Sequence, residues 1–319
     1  MNNSSKFRRL LIGSTYTWMV LLALIPYLIL LGASFLERGE QTLVQPGWTL
    51  ANYQHLLSPA VFSMAVDSIG LAAVAALLCL LIGYPFSYIL AQAPSRVQPL
   101  LLLLVMIPFW TNSLIRTYAL VIMLKADGTI NSLLLSLGLI DTPLQLMYTS
   151  LAVFIGLVYT LLPFMILPLY AALKAVDPRL LEASRDLGAN RFNTFFRITV
   201  PLTIPGIIAG TMLVFLPALG MFYVADVLGG ARSMLLGNYI RDQFLIFRNI
   251  PMGSAASVTM TIAMGLMLLL YDSSPPLSTV FSICHWWWWR FSRSTTPNIP
   301  FPGMDSPSSG TVNSGRTAA

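Results

Sequence analysis

Charge is scarce in this chain. Only 9% of its 319 residues are Asp, Glu, Lys or Arg, against roughly 25% in an ordinary soluble domain. Hydrophobic residues make up 56%, and mean hydropathy is +0.74. A soluble fold of this length could not bury so much apolar surface, so the composition requires a membrane. Cysteine and histidine are scarcer still. Cys79 and Cys284 are too few for a disulfide framework and fit no metal-ligand spacing. His55 and His285 stand far apart in sequence. The sequence carries no Gly-rich phosphate loop, no metal-ligand cluster and no nucleophile elbow. The expectation is therefore a membrane chain that is not an enzyme, holds no cofactor of its own and takes no nucleic acid.

Long apolar runs are abundant. A bilayer core of about 30 Å needs about 20 apolar residues in a helix, because unpaired backbone groups in hydrocarbon cost several kcal/mol. Six segments suit: residues 10–36, 66–91, 100–124, 151–173, 202–224 and 254–271, the last being the shortest. The first follows Lys6, Arg8 and Arg9 but is far longer than the apolar core of a signal peptide and lacks a cleavage pattern, so it reads as a retained span. Residues 1–9 form its flank.

Lys and Arg give the orientation. They concentrate in the N-terminal flank and in the loop 174–201, which holds Lys174, Arg179, Arg185, Arg191 and Arg197. Both regions fall inside the cell only if an even number of spans separates them, and four spans do. An N-terminus in the cytoplasm is expected.

That loop has its own punctuation. Asp177-Pro178 is a helix start, with an Asp cap and Pro at the first helical position. A helix over 178–187 follows, and Gly188 stops it, since Gly accepts the left-handed cap conformation. A second helix begins near Asn190 and places Phe192, Phe195, Phe196 and Thr199 on one face. Pro201 opens the fifth span. By periodicity alone, the loop reads as an amphipathic pair lying on the membrane surface.

Its residues say more. Glu182-Ala183-Ser184, then Gly188 after three residues, then Ile198, Val200 and Pro201 after nine more, reproduce the order and spacing of the EAA loop. The departures are Ser at the third position and Val at the penultimate one, both small or apolar replacements. The loop is similar to that of permease subunits in bacterial ABC importers. Further stretches narrow the resemblance: residues 107–118 (IPFWTNSLIRTY), 157–164 (LVYTLLPF), 186–189 (DLGA) and 217–226 (PALGMFYVAD). Over about residues 5–271 the chain resembles the polyamine permeases. The resemblance implies an all-α, polytopic, six-span fold of the type I (MetI-like) ABC importer class. It implies a second permease subunit, an ATPase dimer holding ATP and Mg, and a periplasmic polyamine-binding protein. It also implies that the first loop helix enters a cleft on the ATPase, with Ala183 and Ser184 allowing close approach and Glu182 and Arg185 making charge-assisted hydrogen bonds.

A polyamine is a flexible multiple cation. Its pathway wants carboxylates, aromatic faces and amide oxygens. Trp110, Asn112, Tyr223 and Asp226 are candidates near membrane depth, with Asp67 and Tyr88 weaker ones. Each has a plainer reading: Asp226 as a solvated boundary residue, Asp67 as a helix cap, Trp110 as a belt aromatic, Tyr223 as packing. Arg116 would repel a polyamine and is expected to pair with a carboxylate or snorkel outward. Prolines 108, 163, 168, 205 and 217, with Gly206 and Gly210, suit either kinked moving helices or close static packing. Ile130, Leu133, Leu134 and Leu137 suggest a short outer helix.

After residue 271 the composition changes. Residues 272–319 hold ten Ser, six Pro and the run Trp286–Trp289, a mixture that cannot bury a core. A shifted reading frame or fusion near 271 is expected, with a genuine disordered tail as the alternative; intact mass of the native protein separates them. Two other functions fit the spans: an importer permease for another small solute such as iron or sulfate, or an ATP-independent channel or carrier.

Overall fold

The computed structural model describes residues 3–39, 44–230 and 234–272. The tail expected to be anomalous lies, but for its first residue, outside the described residues. Six helical stretches are long and apolar enough to cross a membrane.

Helix α1 (Asn3–Ser34) leads into a two-stranded antiparallel ribbon, β1 (Leu36–Glu37) with β2 (Gln45–Trp48), and a short α2 (Ala51–Leu56). The ribbon is the one departure from all-α among the described residues. Helix α3 (Pro59–Gln92) starts seven residues before the expected 66, with Pro59 in its first turn. At 34 residues it spans about 51 Å, at 1.5 Å per residue, so it projects well past a bilayer core.

The expected third span, 100–124, is broken. Helix α4 (Gln98–Trp110) ends at Thr111, and α5 (Ser113–Leu124) starts afresh. Thr111 and Asn112 are extended, and the Asn112 side chain accepts from the Leu114 N–H at 2.8 Å. An Asn carbonyl competing for a backbone donor is what ends one helix and caps the next. Helix α6 (Thr129–Ser136) is the short helix anticipated from its apolar stripe: Ile130 packs on the core, whereas Leu133 and Leu137 are exposed.

Helix α7 (Ser150–Ala175) is the fourth span; α8 (Pro178–Asp186) and α9 (Arg191–Thr194) follow. A π-helical turn, Phe195–Thr199, then joins α10 (Val200–Gly220). The fifth span was expected over 202–224, but α10 stops at Gly220 and α11 (Phe222–Gly229) turns away at Met221. Pro217 withdraws a backbone donor from that last turn, and Gly220 holds it weakly. Helices α12 (Leu236–Leu245) and α13 (Ile250–Asp272) complete the order.

Helices α3, α7 and α10 pack together as the centre. Ala72, Ala75, Ala76, Leu157, Leu161, Met165 and Val214 fill it. Small residues set the spacing, as suits helices that meet in lipid. A methyl added at Gly210 would lie 2.7 Å from Met165 Sδ and 3.3 Å from its carbonyl oxygen. Hydroxyls tie the trio together: Tyr84 OH with Thr203 Oγ1 at 2.9 Å, and Ser87 Oγ donating to the Ile166 carbonyl at 3.2 Å. Helix α1 packs mainly on α13, outside this centre. The two ends of α3 mark the two ends of the bundle. Its Tyr88–Gln92 end meets the α8–α9 loop, and its Val61 end meets α12.

Candidate functional site

The α8–α9 loop is built from local signals. Asp177 caps α8, its carboxylate accepting from the Arg179 N–H at 2.9 Å. At the other end Gly188 sits at φ +82°. Its N–H donates to the Arg185 carbonyl at 2.9 Å, and the Ala189 N–H reaches the Ser184 carbonyl at 3.0 Å. This pair of bonds closes a helix through a left-handed residue. Asn190 then caps α9, accepting from the Asn193 N–H at 2.7 Å.

The residues between the caps divide into two sets. Glu182, Ala183 and Arg185 are exposed, and among the described residues the Glu182 and Arg185 side chains have no hydrogen-bond or ion-pair partner. Ser184 differs from the expectation. It is buried, and its hydroxyl bonds Thr194 Oγ1 at 2.9 Å and donates to the Leu181 carbonyl. Its small size serves the internal clamp between α8 and α9, not an outer approach. The second loop helix is also not separate from the span. It runs through the π turn into α10, with the Val200 N–H donating to the Phe195 carbonyl. Pro201 stands in the first turn of α10. It brings no N–H, so the backbone there cannot close an ordinary ladder, and a wider turn accommodates it.

Phe195 anchors this piece, edge-on to Tyr84 at 5.6 Å and Tyr88 at 5.3 Å. Tyr88 therefore packs rather than standing free for a cation. Phe192 and Phe196 stay exposed. A cavity of about 930 Å³ opens between the loop and the helix ends, lined by Lys174, Arg185, Arg191 and the aromatic residues 192, 195 and 196.

The pathway candidates scatter. Trp110 ends α4 and is 72% exposed. Asn112 spends its oxygen on the α5 cap. Tyr223 lies on α11 and packs against the core. Asp67 is exposed within α3, eight residues after its start, so it is not the helix cap that its sequence position suggests. Arg116 does not snorkel: it is only 8% exposed, lies 5.8 Å from the Phe109 ring, and among the described residues has no partner for Nε and Nη1.

Asp226 has company that sequence reasoning missed. Arg241 Nη1 forms an ion pair with its Oδ2, and Asn238 Nδ2 donates to its Oδ1 at 3.1 Å. The same guanidinium holds Asp242 Oδ1 through Nε at 2.8 Å and Nη2 at 2.7 Å. It also lies 5.6 Å from the Phe222 ring. The helices explain this meeting. Phe222 and Asp226 are four apart on α11; Asn238, Arg241 and Asp242 share one face of α12. Gly237 lets α12 press against Phe222, since a methyl there would lie 2.9 Å from Phe222 Cβ. Hydrogen bonding to Asp242 raises the Arg241 pKa; burial opposes this, and Asp226 adds to it. The signal was the i, i+3, i+4 set 238, 241, 242 opposite an i, i+4 pair, but only a fold shows that the two faces meet. Among the described residues, no group of three His, Cys, Asp or Glu side chains is placed to hold a metal ion.

Known proteins match this architecture. The model of the family described as "binding-protein-dependent transport system inner membrane component" matches residues 83–274. The chain belongs to this family. It is a multi-pass inner-membrane transport permease and not an enzyme. The chain is 52% identical over 271 residues to the spermidine/putrescine transport system permease protein PotB of Salmonella typhimurium (strain SL1344), covering 85% of this chain and 94% of that protein. It is 54% identical to the PotB of Escherichia coli (strain K12) over 254 residues, covering 80% and 92%. An inner membrane ABC transporter permease of the same organism, YdcU, is 32% identical over 256 residues, 76% of this chain and 81% of that one. Among solved structures, a bacterial alginate ABC transporter in complex with its alginate-bound periplasmic protein superposes with a TM-score of 0.64 at 16% identity, covering 85% of this chain and 96% of that one. At that identity the likeness is one of fold. As a binding-protein-dependent permease, the chain works with an ATPase and a substrate-binding protein.

Proposed function

We propose that this permease carries spermidine and putrescine inward across the inner membrane, driven by ATP hydrolysis on a separate chain. The carrying observation is the identity of 52–54% to PotB proteins over four-fifths or more of the chain. The N-terminus and the α8–α9 loop face the cytoplasm, a reading supported by the concentration of Lys and Arg in both. The assembly contains an ATPase dimer, a PotC-like second permease subunit, and a periplasmic polyamine-binding protein that docks on the opposite face.

Drive enters through α8. Glu182, Ala183 and Arg185 present themselves to the ATPase, and their exposure together with the free Glu182 and Arg185 side chains supports this role. Ser184 and Thr194 pass displacement of α8 to α9, Gly188 fixes the corner, and the π turn with Pro201 hands it to α10. Because α10 packs directly on α3 and α7, movement of the loop reaches the centre of the bundle without a flexible link.

The cargo meets Asp226 near the outer end of the bundle, with Tyr223, Trp110, Asn112 and Asp67 as further pathway residues. Uptake of radiolabelled spermidine and putrescine, in cells lacking their own polyamine importers but expressing this chain with its partners, tests the reading. Uptake that requires the ATPase is expected. Absence of uptake rejects the cargo; uptake that survives ATPase loss rejects the drive.

A further inference from the structure

The Asp226 cluster is already occupied by a cation. Arg241 places one guanidinium nitrogen on Asp226 and keeps two others on Asp242. Among the described residues, two carboxylates thus face one guanidinium. The cluster also has the other attributes of an amine site: the Phe222 ring beside the cation at 5.6 Å, and an amide at Asn238. That amide carries the second, independent sign. Asn238 is 4% exposed, and its Nδ2 is bound to Asp226, yet among the described residues its Oδ1 has no hydrogen-bond donor. A buried acceptor without a donor is costly, and here it stands next to a carboxylate that is half-exposed, at 40%. The unfilled requirement is for an N–H donor, not for a further acceptor.

We propose that Arg241 is a tethered stand-in for the cargo, holding Asp226 until a primary ammonium group of a polyamine displaces it. The incoming ammonium donates to Asp226 Oδ2 and to Asn238 Oδ1. The Asp226 carboxylate turns from Arg241 Nη1 to the ammonium while the rigid guanidinium stays on Asp242 through Nε and Nη2, so the displaced charge is never left unpaired. The exchange is one salt bridge for another and forms no deep well. A site of that kind binds a polycation without trapping it, because the guanidinium returns as the cargo leaves. Arg241 is therefore a specificity-determining residue: a ligand with one weakly held charge cannot displace it, and one with several ammonium groups can.

This inference rests on the polyamine reading and on Asp226 as part of the pathway. The test uses the complete importer, with both permease subunits, the ATPase and the binding protein, in nanodiscs or vesicles. Initial uptake rates for spermidine and putrescine are measured for the native chain and for Arg241→Gln, Arg241→Lys, Asp226→Asn and the Arg241→Gln/Asp226→Asn pair. Expected for Arg241→Gln is a lower half-saturation concentration, about fivefold for a partly exposed charge contact, together with a lower maximal rate. Arg241→Lys keeps a displaceable cation but not the hold on two carboxylates, so it should fall between the native chain and Arg241→Gln, and Asp226→Asn should raise half-saturation. The double variant should resemble Asp226→Asn alone. If Asp226→Asn impairs uptake but Arg241→Gln raises half-saturation or leaves it unchanged, Arg241 is a structural brace and the stand-in is refuted while the pathway survives. If Asp226→Asn changes nothing, the pathway assignment and the stand-in both fall. Thermal midpoints of the purified complexes separate loss of fold from loss of exchange, and Arg241→Lys keeps the test decisive where Arg241→Gln does not assemble.

Discussion

Gly188 offers the sharpest test of the coupling loop, because its cost of replacement has a single source. Its φ is +82°, and a methyl built on it meets nothing within 4 Å. Sterics from neighbours therefore drop out, and only backbone strain remains. An L-residue held in the left-handed region costs about 1–2 kcal/mol, which shifts the ratio of closed to opened corner by about 5–30-fold. Asn tolerates this region better than Ala, and a β-branched residue tolerates it worst. The expected order of transport is therefore Gly188, then Gly188→Asn, Gly188→Ala and Gly188→Val. Uptake per ATP hydrolysed is the readout, measured on the reconstituted importer with saturating binding protein. Hydrolysis should persist better than uptake, since the corner transmits motion and does not touch nucleotide. Equal uptake in Gly188→Val and the native chain would refute the reasoning, as would an Asn replacement that performs worse than Val.

Glu182→Ala should leave thermal stability within about 0.5 kcal/mol, as for an exposed side chain without partners, while abolishing substrate-stimulated ATP hydrolysis by the assembled importer. Tyr84→Phe removes a buried hydroxyl that joins α3 to α10 through Thr203, and should destabilise the detergent-purified chain by about 1 kcal/mol, read as a lower thermal midpoint. Gly210→Ala should cost about 1–3 kcal/mol by overpacking against Met165, whereas Gly13→Ala, with open space around it, should be neutral in the same assay.

What the sequence made legible was local or averaged. Span count follows from hydropathy, which sums over many residues and forgives a single polar one. The caps at Asp177 and Asn190 and the corner at Gly188 follow from side-chain chemistry confined to one turn. The breaks at Thr111–Asn112 and Met221 were hidden for the same reason that the spans were visible. Averaged over about twenty residues, hydropathy passes over the three polar residues Thr111, Asn112 and Ser113, and Met221 is itself apolar. Ser184 shows a different limit. Its place in the motif is plain, but whether it faces outward or toward Thr194 depends on how α8 folds back over α9. Arg241 lies further out of reach, since its value comes from two helices meeting at Gly237. Asp67 was misread because Asp at the edge of an apolar run looks like a cap until the helix is seen to begin at Pro59.

The π turn at Phe195–Thr199 has a consequence that is angular. Each residue of an α-helix turns the chain by about 100°, and a π turn holds one residue more than the regular winding. Everything ahead of it is therefore clocked against everything behind it. Winding the same residues as a regular α-helix would leave hydropathy, sequence and motif intact. It would nonetheless swing Phe192 and α8 by about 100° around the axis of α10. The interval from Gly188 to Pro201 is in this sense a phase setting: it fixes the bearing at which a push on the loop arrives at the bundle.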